Sequence, residues 1–244
     1  MLPLRDVNPV QRTPVVNYLL ILANVAVFVW MTSLPPWYEP GFGLVPTRIA
    51  RDPLGEGFTV FTSMFMHANL MHLVGNMWFL WIFGDNVEDA LGHFRYLAFY
   101  LLGGLAAATL QVVMNVSSPV PMVGASGAIA AVTGAYMLLY PRAPILILNP
   151  LTMLMPLLWF VLGLTLVVPA WIVAGEFFVM NLLMGVQSLG VQNADARGGV
   201  AFFAHLGGFI AGMLLVGPMS RGRERKRRKD WEGWRPPPRS RGYG

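Results

Sequence analysis

Ser126 stands in Gly124-Ala125-Ser126-Gly127, immediately before an apolar run over 128–140 that carries no charge. Removing bulk on either side of a serine exposes its hydroxyl. The unpaired amides at the start of a following helix favour a negative charge developing there. Such a serine is a nucleophile only if the chain also supplies a base and donors for an oxyanion. Small residues of this kind also serve close helix packing in membranes, and the motif alone does not choose between the two uses.

The other polar groups within apolar stretches are His67, His72, Asn76, Glu176, Asn181 and His205. Groups of this kind are costly inside a bilayer and are candidates for function. His72 and Asn76 are four apart, share one helix face, and both carry side-chain donors suited to an oxyanion. His205 lies in Ala204-His205-Leu206-Gly207-Gly208-Phe209-Ile210-Ala211-Gly212. Its glycines allow close contact with another helix, for which the one bearing Gly127 and Gly134 is the natural partner. Each group also has a plainer use. A lone histidine can make one interhelical hydrogen bond, and His67 reads as an interfacial histidine with a structural bond. Glu176 reads as paired or beside a water-filled loop, and Asn181 as a residue that joins two helices. A metal centre fits poorly, because His67 and His72 are five apart with no glutamate between them. Asp85 and Asp89 fall in a polar turn, so no pair of intramembrane aspartates is available. Neither metal nor cofactor is expected.

These residues must be positioned by an unusual chain. Of 244 residues, 55% are hydrophobic and 12% charged, with a mean hydropathy of +0.56. Soluble domains carry about 25% charged residues, so the composition is that of an all-α membrane protein. Cysteine is absent, which excludes disulfides, thiolate metal sites and a cysteine nucleophile. Of 17 basic residues, ten lie within 221–241. Adjoining a membrane helix, this tail suits anionic lipid rather than nucleic acid, and is expected to be disordered.

Hydropathy gives a polar lead-in over 1–14 and spans near 15–32, 69–83, 96–113, 126–140, 170–184 and 200–216. The first reads as a retained signal anchor without a cleavage site. A loop over 33–66, rich in proline, glycine and aromatics, is expected at the interface. The fourth span is too short to cross from its first residue, which puts Ser126 below the surface. Residues 144–168 are apolar enough to span but contain Pro150 and Pro156. Ser126 and His205 both begin their helices, so they meet only if those helices run in one direction. That requires 144–168 not to cross, and an interfacial or re-entrant loop is expected. Six crossings with both ends inside leave fourteen basic residues on the cytoplasmic side and three outside. The body is then 15–218, followed by the tail over 219–244.

Taken together, His67-Ala68-Asn69 with His72 and Asn76, Gly84 to Gly92, Gly124-Ala125-Ser126-Gly127 and Ala204-His205-x-x-Gly208-x-x-x-Gly212 resemble the rhomboid intramembrane serine proteases of the bacterial six-span type. The resemblance covers residues 10–218 and implies a six-helix rhomboid-like bundle with a short buried fourth helix. It implies a multi-pass protein of the cell membrane with a Ser126–His205 dyad. His72, Asn76, the Ser126 amide and Gly124 would form the oxyanion hole, and Gly127, Gly208 and Gly212 the packing around it. The first loop would lie sideways in the outer leaflet, and the fifth span, with Phe177, would act as a lateral gate. Substrates would be transmembrane segments of other proteins. Three positions depart from common patterns in the family: Ala130 replaces an aromatic that stacks on the histidine, Phe202 a second histidine, and Ala90 the arginine of a Glu-x-Arg turn. A catalytically inactive, helix-binding relative is the alternative.

Overall fold

The computed structural model describes residues 1–35, 41–150, 163–188 and 201–220. Six longer helices make up most of them: α1 (Val15–Ser33), α2 (Leu70–Leu91), α3 (His93–Met114), α4 (Ser126–Leu139), α5 (Ala170–Ser188) and α6 (Phe202–Ser220). Four of these, α1, α3, α5 and α6, are long and apolar enough to cross a membrane. The second is as long as α3 but ends in Asp85, Glu88 and Asp89. The fourth has 14 residues, about 21 Å of helix against a hydrocarbon core of about 30 Å. All its residues from Gly127 to Tyr136 are buried, and α2, α3, α5 and α6 pack around it.

Small residues set how closely the central helices approach. A Cβ on Gly208 would collide with the Gly127 carbonyl, and one on Gly212 with the Ala131 carbonyl. Likewise Gly134 abuts the backbone of Phe209, and a Cβ on Gly127 would stand 2.6 Å from Ala107 Cβ of α3. Helices α4 and α6 are therefore in backbone contact over about two turns of α4. In a lipid solvent, with little hydrophobic drive between helices, this van der Waals contact is the main source of association.

The fold is not purely helical. Residues Pro3–Asp6 (β1), Pro144–Leu148 (β2) and Thr165–Pro169 (β3) form an antiparallel sheet in the order β1-β2-β3. The expected polar lead-in thus contains a strand, and the expected loop at 144–168 begins and ends as strands. Hydropathy cannot tell these from a spanning helix. Ile145, Leu146, Ile147 and Leu148 suit a strand, and Pro144 and Pro169 sit at strand ends, where a missing donor is tolerated. The Ala170 amide donates to the Ala143 carbonyl at 2.9 Å, so the chain enters α5 beside the point where it left α4. Residues 151–162, including Pro156, lie outside the described residues, as do Trp37, Tyr38 and the basic tail.

The expected turn at Gly84–Asp89 is instead the buried end of α2, which Gly92 closes at φ +81°. Its polar residues have partners distant in sequence. Helix α1 begins after Pro14 with no side-chain cap, and Glu88 accepts the amides of Val16 (2.9 Å) and Asn17 (2.7 Å) instead. A carboxylate at a helix N-terminus is favoured by the dipole and by the orphan amides. His93 Nδ1 lies 2.5 Å from the same carboxylate, so its neighbour is His93 rather than an arginine at position 90. Asn17 continues the network, donating to the Leu80 carbonyl and accepting from Tyr96 Oη.

Strand β1 is tied to the same end. Asp6 accepts from Asn86 Nδ2 at 2.8 Å and from Tyr136 Oη at 2.9 Å, and Trp78 donates to the Pro3 carbonyl. Burial, then the carboxylate of Asp85, raises the Asp6 pKa to about 7, with the Tyr136 hydrogen bond the main opposing influence. The folded state therefore holds this proton more tightly than the unfolded chain does. The contribution is full below about pH 4 and is lost as pH rises through about 7. Melting in detergent should accordingly occur at higher temperature at pH 5 than at pH 8, and the difference should shrink in Asp6→Asn.

Candidate active site

The first loop holds the serine turn in place. It forms short helices at Pro46–Arg51, Pro53–Glu56 and Thr59–Thr62, followed by a 3-10 turn. Leu44 and Met122 exchange backbone hydrogen bonds (3.1 and 2.7 Å), and the Gly124 amide donates to the Ser63 carbonyl at 2.9 Å. Gly124 was expected to help bind an oxyanion, but its amide is already engaged. It contributes room instead. At φ +124° it passes so close to α2 that a Cβ would lie 2.7 Å from His72 Nε2 and 3.5 Å from Asn76 Nδ2.

Ser126 is the first residue of α4, and His205 lies in the first turn of α6. His205 Nε2 is 2.8 Å from Ser126 Oγ. Across a cavity of about 530 Å³ stand His72 and Asn76 of α2, with Phe79, Ile129 and Phe177 among the apolar walls. Asn69 caps α2 by accepting the His72 amide at 2.9 Å, which fixes the helix start just before both side chains. Asn76 is 7% exposed, and its Nδ2 has no partner among the described residues. A buried amide donor left unpaired at a cavity wall is costly unless something there accepts from it.

His67 stands outside this set. It lies edge-on to His72, with ring centroids 5.1 Å apart. Burial, and then His72, lowers its pKa to about 4, so it is a neutral buttress for the His72 ring at neutral pH. Glu176 is likewise not among the cavity's lining residues, and its carboxylate pairs with the Met1 amino group at 2.5 and 2.6 Å.

Two side chains reach His205 from α5. Phe177 packs on it with centroids 5.7 Å apart and also contacts Phe79 and Phe209. An aromatic partner is thus present although position 130 is alanine; it comes from another helix. Asn181 Oδ1 lies 2.6 Å from His205 Nδ1. As the sequence suggested, Asn181 joins two helices, but its contact falls on the one histidine that also touches Ser126. Its spacing of four from Phe177, on one helix face, is the signal that sequence reasoning left unused. Gln111 was also missed: its Oε1 accepts the Ala204 amide at 3.2 Å and caps the start of α6.

The Rhomboid domain family profile matches residues 54–222, more than half of the chain. The chain belongs to the rhomboid family. It is 27% identical over 219 residues to the yeast Rhomboid protein 1, mitochondrial, covering 87% of this chain and 55% of that one. Similarity to zebrafish presenilin-associated rhomboid-like protein A, mitochondrial, is 30% over 160 residues, or 64% of this chain and 36% of the other. The rhomboid protease GluP of Bacillus subtilis is 38% identical over 81 residues, 33% of this chain and 15% of that protein. This rhomboid thus spans between 15% and 55% of the length of these relatives. It is a membrane protein with a mostly helical fold.

Replacing Gly124 by alanine tests how tightly the turn is fitted. An L side chain at φ +124° is strained, by about 1–3 kcal/mol, and its Cβ would press on His72. Gly124→Ala should melt earlier in detergent, whereas Gly75→Ala, with open space around it, should not.

Proposed function

We propose that this rhomboid is an intramembrane serine endopeptidase that cuts peptide bonds in or near transmembrane segments of other proteins. The observation that carries the reading is the 2.8 Å contact between His205 Nε2 and Ser126 Oγ beside the unpaired donor of Asn76. Ser126 Oγ attacks the scissile carbonyl carbon while His205 Nε2 takes its proton. The tetrahedral oxyanion accepts from His72, Asn76 Nδ2 and the Ser126 amide. Collapse breaks the C–N bond, and the leaving amine takes the proton from Nε2. A water activated by His205 then hydrolyses the acyl-enzyme. Donors held in place within an apolar bundle act more strongly than they would in water. Gly127, Gly208 and Gly212 keep nucleophile and base in register, and Phe177, wedged between Phe79 and His205, stands where α5 would part from α2 to admit substrate.

Six crossings with both termini cytoplasmic are supported by the basic-residue asymmetry and by Ser126 and His205 starting their helices at one end. A cell membrane is the proposed location, with the basic tail on anionic lipid.

A fluorophosphonate probe should label Ser126 in the purified protein, and Ser126→Ala should abolish both labelling and cleavage of a reconstituted transmembrane substrate. An inactive helix-binding rhomboid would bind such a substrate without labelling. Asn76→Ala should lower kcat by about 10²–10³-fold with little change in melting temperature. Full cleavage by Ser126→Ala would refute the proposal.

A further inference from the structure

Helix α5 does more than flank the cavity. Asn181 Nδ2 donates to the Phe177 carbonyl at 2.8 Å, one turn earlier in the same helix. A carbonyl only accepts, so this bond decides which way the amide faces and leaves Oδ1 toward His205 Nδ1 at 2.6 Å. An amide oxygen also only accepts, so Nδ1 must carry the proton. Nε2 is then bare and directed at the Ser126 hydroxyl. Every donor in the chain Ser126 Oγ, His205, Asn181, Phe177 carbonyl thus meets an acceptor in one sense only.

We infer that Asn181 is a positioning residue, which holds His205 as the Nδ1–H tautomer with Nε2 free to accept the serine proton, while Phe177 on the same face of α5 sets the tilt of the ring. The inference rests on the peptidase reading for its consequence in turnover, but not for the tautomer itself. Without Asn181 the imidazole can rotate or carry its proton on Nε2, where it cannot serve as base. Position 181 ties to α6 a stretch of α5 in which its neighbours Met180, Leu182 and Leu183 are exposed. The base is therefore competent only while α5 lies against α6. Among the described residues lining the cavity, His72 on α2 is the other titratable side chain.

The test uses full-length protein labelled with ¹⁵N-histidine. The chain has four histidines, and His205→Ala identifies the signals of interest. At neutral pH, His205 should show a protonated Nδ1 and a bare Nε2. In Asn181→Ala the pattern should become a mixture, and kcat should fall about ten- to a hundredfold with KM nearly unchanged. Asn181→Asp keeps the acceptor, so it should restore the Nδ1–H pattern and most of the rate. Its carboxylate should also move the acidic limb of the pH–rate profile upward. A wild-type His205 protonated on Nε2, or an alanine variant with unchanged nitrogen pattern and rate, would overturn the inference. Cleavage by Ser126→Ala would refute the peptidase reading instead, and the nitrogen pattern would still judge the role of Asn181.

Discussion

The backbone contact between α4 and α6 is the constraint from which the rest of the structure follows. Gly127, Ala131 and Gly134 meet Gly208, Gly212 and Phe209 so closely that no Cβ fits at the glycine positions. Because Ser126 immediately precedes Gly127 and His205 stands three residues before Gly208, this contact fixes the separation of their side chains. The surrounding helices then have two tasks: to enclose α4, which is too short to span alone, and to bring donors to its exposed end. The first loop performs part of the second task by pairing with residues 122 and 124.

The two ends of the bundle use polar groups differently. At the end of α2, Glu88, Asn17, Tyr96 and Asp6 are hydrogen-bonded, most of the bonds joining segments distant in the chain. At the cavity, Asn76 keeps a donor free and His205 sits within a short directed chain of bonds. Satisfied groups hold helices together, whereas the unpaired Nδ2 of Asn76 belongs to a residue lining the cavity.

What could be read from the sequence was what is contiguous or periodic. Ser126 within its glycines, His72 and Asn76 at i, i+4, and the glycines after His205 stand out as candidates by local spacing, and the structure brings Ser126, His72, Asn76 and His205 to one cavity. Crossing parity required residues 144–168 not to cross, and the contact between Ala143 and Ala170 agrees with that requirement. Hydropathy did not disclose the strands, since Ile-Leu-Ile-Leu is equally apolar in a helix and in a sheet. The polar cluster at 84–89 resembled a turn because its partners, the first amides of α1, lie some 70 residues earlier. Asn181 looked like an ordinary joining residue, because its effect depends on the rotation of α5 about its axis, which spacing alone does not give.

The three-stranded sheet has a consequence for the order of assembly. Among the described residues strand β1 pairs with β2 alone, and Asp6 meets Tyr136 across 130 residues. During synthesis, residues 3–6 therefore precede their partner strand by all of α1 to α4. Contacts between such distant segments form late, because the chain between them must be ordered first. When β2 emerges, its pairing with β1 joins the start of the chain to the segment leading into α5. The sheet thus acts as a clasp, closed only after the serine helix has been placed.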